Sequence, residues 1–225
     1  MKLLALDTST EACSVALMLD QDIVERFELE QRHGERLLTM VEELLKQSDI
    51  ALSQLDAIAF GRGPGSFTSL RIGAGVVQGL AFGADLPVVP VSSLAALAQG
   101  IDAPKVLAAF DARMRQVYYG AFVRGSDGLV MSAGAEVVVN PAELPLPDGT
   151  SWTGAGSGWD AYHESMRERL GTAVDRWLLK TYPHAREVAV LACSAFSRGL
   201  TVPADEAIPV YIRDDVAMKS SKRGG

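Results

Sequence analysis

A strand ending in aspartate, a short polar turn and a second strand occur twice in this chain, and a unit built twice restricts the fold to two like halves. The first copy is Leu4-Ala5-Leu6-Asp7-Thr8-Ser9-Thr10-Glu11-Ala12-Cys13-Ser14-Val15-Ala16-Leu17, and the second is Leu107-Ala108-Ala109-Phe110-Asp111-Ala112-Arg113-Met114-Arg115-Gln116-Val117-Tyr118-Tyr119-Gly120-Ala121-Phe122. Each reads as a hairpin. Two hairpins can match by chance, so the duplication rests on the order of elements downstream of each copy.

After the first copy come a strand at 23–29 and a helix at 34–47, with Leu37, Leu38, Met40, Val41, Leu44 and Leu45 at helical spacing. A strand at 56–60, a glycine-rich helix, a strand at 87–91 and a helix from Ser92 or Ser93 complete the order βββαβαβα. After the second copy the order is recognisable but worn. Strands at 117–123 and 135–139 lead into a loop holding Pro141, Pro145 and Pro147. A short strand near Trp152, an amphipathic segment at 159–170 and a helix at about 185–198 come next. The expected fold is therefore α/β: duplicated βββαβαβα units with mixed sheets covered by helices. The halves are 1–103 and 104–225, with the last helix and tail of the second expected to pack back on the first.

Between the strand at 56–60 and its helix lies Gly61-Arg62-Gly63-Pro64-Gly65-Ser66-Phe67-Thr68-Ser69-Leu70-Arg71-Ile72-Gly73. Three glycines and a proline in five positions permit a tight reversal, and Ser66 stands where an N-cap belongs. Beyond it Gly75, Gly79 and Gly83 recur every fourth residue. Each costs roughly 1 kcal/mol relative to alanine inside a helix, so a stripe of them needs a packing reason. That reason is either the protein's own sheet, which the residues alone favour, or a partner helix.

Composition narrows the function. At 225 residues and 48% hydrophobic the chain can build real cores. Its net charge is −7, and the one basic cluster is the terminal Lys219, Lys222 and Arg223. That is not the footprint of an independent nucleic-acid binder, so any RNA must be held by something else. Asp7 interrupts the apolar start before a signal peptide can form, and no segment reaches the roughly 20 apolar residues of a membrane span. Cys13 and Cys193 are expected to be free thiols, which points to the cytoplasm.

Several chemistries fail on motif grounds. For a hairpin turn to hold a phosphate on its backbone amides, glycine is needed to let the backbone come close, and hydroxyls assist. The Asp7 turn keeps only the hydroxyls, and the Asp111 turn, with two arginines and a methionine, has neither. Both aspartates read as turn residues capping backbone amides. The segment 61–66 lacks the Lys-Ser/Thr pair of a phosphate loop. His33, His163 and His184 lack metal-ligand spacing, and no serine or cysteine is paired in sequence with a nearby histidine.

The opening Leu6 to Ala16, the Gly61 to Thr68 turn with Leu70-Arg71-Ile72-Gly73, the Asp111-Ala112-Arg113 turn and the late Pro209-Val210-Tyr211-Ile212-Arg213 together resemble the bacterial TsaB (YeaZ) family. Its architecture is that of the actin, sugar-kinase and heat-shock-chaperone superfamily. The resemblance implies a non-catalytic partner in forming N6-threonylcarbamoyladenosine next to the anticodon of tRNAs that read codons beginning with A. It implies pairing with the catalytic paralogue TsaD and the ATPase TsaE, while another enzyme supplies threonylcarbamoyl-adenylate. It further implies a homodimer when alone, tRNA contact only through the complex, and no cofactor of its own, ATP or ADP being bound through partner subunits. Ser69 departs from the family, which usually has glycine there.

Taken singly, Leu38, Val41, Leu45, Val76 and Leu80 read as internal core. For the helix pair as a whole the resemblance implies a partner surface of His33, Leu37, Leu38, Val41, Arg62, Gly63, Pro64, Gly65, Ser66, Phe67, Thr68, Leu70, Arg71, Gly75 and Gly79. The alternatives are an autonomous ATPase or kinase of the same fold, and a glycoprotease-like hydrolase.

Overall fold

In the computed structural model, residues 1–29 and 33–212 are described. The chain runs β1 (Lys2–Asp7), β2 (Cys13–Leu19), β3 (Asp22–Glu28), α1 (His33–Gln47), β4 (Ala57–Gly61), α2 (Phe67–Ala84), β5 (Val88–Val91), α3 (Ser93–Gln99), β6 (Lys105–Asp111), β7 (Val117–Arg124), β8 (Val130–Ser132), β9 (Val137–Val139), β10 (Trp152–Ala155), α4 (Ser157–Leu170), β11 (Val174–Leu178) and α5 (Ala185–Ser197). The architecture is α/β, two mixed sheets covered by helices, as the duplicated pattern predicts.

The first sheet has the order β3-β2-β1-β4-β5 and the second β11-β10-β6-β7-β8, with β9 pairing farther along β7. In each, an antiparallel hairpin (β1–β2, β6–β7) is extended by parallel strands (β4 and β5; β10 and β11). The duplication is thus topological. It is incomplete: where the first half has α1, the second has its proline-rich loop, because Pro141, Pro145 and Pro147 deny a helix the amide donors it needs.

Strand β1 is central and buried on both faces. Leu4 and Leu6 join one core with Leu37, Met40, Val41 and Leu44 of α1 and Ala74, Val77 and Ala81 of α2. Leu3 and Ala5 join the opposite core with Ala185, Val188, Ala189 and Ala192 of α5. That helix buries alanines at i, i+4 and i+7, which bring its axis close to the sheet. Although it follows the second sheet in sequence, α5 therefore covers the first.

Candidate partner-binding face

The glycine-rich turn is shaped by what it presses against. Ser9, Asp7 and Thr8 are each almost fully buried beneath it. A Cβ at Gly61 would overlap the Asp7 carboxylate and stand 2.7 Å from Ser93 Oγ, and one at Gly65 would overlap the Ser9 carbonyl. Only glycine permits that approach. The Ser66 amide donates to the Ser9 carbonyl at 2.7 Å, and Thr8 Oγ1 donates to the Ser69 carbonyl at 2.8 Å. Ser66 occupies the N-cap position of α2, but its side chain makes no capping hydrogen bond. Its backbone is spent on the hairpin instead.

Both aspartate turns are closed around their own carboxylates. Asp7 Oδ1 accepts from the Ser9 amide at 2.8 Å and the Ser9 hydroxyl at 2.7 Å, and Oδ2 accepts from Ser93 Oγ at 2.9 Å. Asp111 Oδ1 accepts from the Arg113 amide at 2.8 Å and from the Tyr162 hydroxyl at 3.3 Å. Arg113, Met114 and Arg115 all hold positive φ, 61°, 53° and 59°. Burial, together with the neighbouring Asp111, raises the Tyr162 pKa. The first turn therefore has the Ser9 amide and the Thr8 and Ser9 hydroxyls committed to the interior, and the second presents bulky side chains, with Met114 81% exposed.

The helix pair divides the expected contact residues into two sets. Leu37, Val41 and Leu70 are wrongly assigned to a contact surface: each is at most 1% exposed, the first two in the core beneath the helices and Leu70 against the turn at Gly63. Gly63 and Pro64 are buried too, in the tight return of the turn. Leu38, by contrast, is 46% exposed, and Ser66, Phe67, Thr68, Arg71, Gly75 and Gly79 face outward, with Arg62 and Gly65 half-buried. His33 opens α1, but its side chain lies outside the described part of the structure.

The reading of the glycine stripe as a contact with the protein's own sheet is also corrected. A Cβ at Gly75, Gly79 or Gly83 would meet nothing within 4 Å. Gly73, off the stripe, faces inward against Thr8. The stripe is an open face on the outside of α2, and Phe82 stands beside it, 84% exposed.

One edge of this face was not anticipated. The segment ending at Ile212 returns along α2, held by the Val210 amide on the Arg62 carbonyl (2.8 Å) and Gln78 Nε2 on the Ala207 carbonyl (3.2 Å). Tyr211 lies 5.2 Å from Phe67, centroid to centroid, and the Arg71 guanidinium sits 3.7 Å above the Phe67 ring while its Nε donates to the Tyr211 hydroxyl at 3.0 Å. Arg213 and the basic tail lie outside the described residues. The late Val-Tyr motif carried the only sequence signal for this strap. On the other side α1 is tied to β3 by Arg36 Nη2 and Glu28 Oε1 at 2.6 Å, a contact that lowers the Glu28 pKa.

The fold is thus an α/β architecture of two like mixed sheets, with closed aspartate turns and an open helical face. A profile described as "TsaD: tRNA N6-adenosine threonylcarbamoyltransferase" matches residues 27–221. The tRNA threonylcarbamoyladenosine biosynthesis protein TsaB of Escherichia coli K12 is 42% identical over 97% of both chains, and that of Haemophilus influenzae is 43% identical over 96% of this chain and 95% of its own. The solved structure titled "YeaZ from Pseudomonas aeruginosa" superposes with a TM-score of 0.87 at 47% identity, covering 93% of this chain and 99% of that one. The chain belongs to the TsaB (YeaZ) family of tRNA threonylcarbamoyladenosine biosynthesis. Among the described residues, no helix is long and apolar enough to cross a membrane.

Proposed function

We propose that this chain is a non-catalytic subunit of a cytoplasmic tRNA-modifying complex, and that it offers the outer face of α1 and α2 to a TsaD-like catalytic paralogue. The observation that carries this reading is the glycine stripe. A helix that spends three glycines on an open face forgoes stability of its own and gains only where another backbone comes close. Phe67, Arg71 and Tyr211 form the rim at one end and Phe82 at the other.

The open stripe with the exposed Phe82 beside it also supports a homodimer through the same face in the absence of the paralogue. An antiparallel crossing between Gln78 and Gly79 would set Phe82 of one copy over Gly75 of the other. The net charge of −7 supports tRNA contact through the complex rather than through this subunit. The committed groups of the Asp7 turn and the crowded Asp111 turn support the absence of a nucleotide site of its own. ATP or ADP would then be bound by partner subunits, including a TsaE-like ATPase.

The profile match to a transferase family makes intrinsic transfer activity the second reading. Reconstitution separates the two. The TsaD-like and TsaE-like proteins, tRNA and threonylcarbamoyl-adenylate are incubated with and without this chain, and the tRNA nucleosides are analysed. Modification is expected only when the chain and its paralogue are both present. Equal modification without this chain, or transfer by this chain alone, overturns the proposal.

A further inference from the structure

The two halves are joined by two crossovers, residues 100–104 and 179–184, and His184 ties the second of them to the edge of the first sheet, where Tyr182 also meets the Phe27 ring, with centroids 6.3 Å apart. His184 is the N-cap of α5. Its ring lies flat on Phe27 of β3, with centroids 4.2 Å apart and planes 12° apart, and its Nδ1 is 3.1 Å from Glu25 Oε2. The other Glu25 oxygen accepts from the Arg186 amide at 3.1 Å. Beside this contact lies a cavity of about 530 Å³ bordered by both crossovers, with Phe27, Gly100, Ile101, Thr181, Tyr182 and Glu187 among its walls.

We propose that His184 is a proton-operated latch: its imidazolium, held between Phe27 and Glu25, fastens the 179–184 crossover to β3, and loss of the proton loosens that crossover beside the cavity. Strand β3 is also the strand that anchors α1 through Glu28, so the latch bears on the frame of the partner face without being part of it.

The charged and titratable groups around the ring are Glu25 on β3, Asp7 at the end of β1, Glu187 and Arg186 on α5, and Lys180 and Tyr182 on the crossover itself. Helix α3 contributes only the apolar Leu97. The hydrogen bond to Glu25 raises the His184 pKa above its ordinary 6.5, burial opposes this, and Glu25, Glu187 and Asp7 reinforce it through charge. The α5 N-terminus works against the cation, so the latch stands on Glu25. A raised folded-state pKa means that the latch contributes fully below the unfolded value of about 6.5 and is lost as pH rises through the folded value.

The full chain has three histidines, so ring resonances can be followed by NMR with His184→Gln for assignment. The His184 midpoint is expected above 6.5 and should fall in Glu25→Gln. Hydrogen exchange at 179–184, corrected for intrinsic rates, should accelerate as pH rises through that midpoint, by up to tenfold for each pH unit by which it exceeds 6.5. His184→Phe keeps the ring stack without the charge, so its exchange should show no such step. A midpoint at or below 6.5, exchange that ignores protonation, or the same step in His184→Phe overturns the proposal. If His184→Phe does not fold, persistence of the raised midpoint in Glu25→Gln does so.

Discussion

Replacing glycines that lie in open space should stabilise the isolated chain while weakening its assembly. Gly75 and Gly79 sit in the middle of α2, and a methyl group added at either meets nothing within 4 Å. Alanine recovers about 0.8–1.0 kcal/mol per glycine in a helix interior, so Gly75→Ala with Gly79→Ala is expected to add about 2 kcal/mol. For a domain of this size each kcal/mol raises Tm by roughly 2–4 °C, which gives about 4–8 °C for the pair. Because self-association would contribute to the apparent stability, melts must be recorded over a dilution series. The gain is expected at the dilute end, together with weaker association in sedimentation or size-exclusion experiments. Gly65→Ala is the contrast: its Cβ would overlap the Ser9 carbonyl, and overpacking of this kind costs typically 1–3 kcal/mol. A loss of stability in the double variant at every concentration would refute the reasoning, since it would mean that the stripe packs against the protein's own interior.

The same geometry sets further expectations. Leu37→Ala, at a fully buried position, should cost about 2–5 kcal/mol in denaturant unfolding, whereas Leu38→Ala next to it should change stability by less than about 0.5 kcal/mol. Asp7→Ala strands the Ser9 amide, the Ser9 hydroxyl and the Ser93 hydroxyl, so it should destabilise by several times the roughly 1 kcal/mol of one hydrogen bond; unchanged melting would contradict that role. Any loss of activity in that variant must accordingly be judged against its fold. Tyr211→Ala and Arg71→Ala should leave the melting temperature within a few degrees of wild type yet weaken paralogue binding in calorimetry, because their contacts are exposed and lie on the rim.

Much of the fold is readable from periodicity. The observed α1, β3, β4, β5 and α5 lie within a residue or so of the positions set by apolar spacing, because each has one face or both faces against a core. Strands β8 and β11 are missed: the first is three residues long, and the second, Val-Asp-Arg-Trp-Leu, is an edge strand whose adjacent exposed Asp175 and Arg176 break the apolar alternation. The site is less legible. Helix α2 is apolar or small nearly all round, so amphipathicity cannot say whether Gly75 or Gly73 faces the sheet; only the packing of Leu70, Ala74, Val77 and Ala81 decides it. On α1 the division is one of helical geometry: Leu37 and Leu38 are identical in chemistry but lie about 100° apart around the axis, so the first is buried and the second half exposed. The Tyr211 strap unites residues 140 apart in sequence, a contact that no local pattern encodes.

The most direct test of the partner-face account is calorimetric titration of the TsaD-like paralogue with Gly79→Arg, run beside thermal melting of the same variant. Space around Gly79 lets the arginine side chain extend into solvent in the free subunit, while in the complex it would be a charge buried without a mate, a penalty of several kcal/mol. The account predicts an unchanged or raised melting temperature with binding weakened at least a hundredfold. Wild-type affinity in the well-folded variant would contradict it.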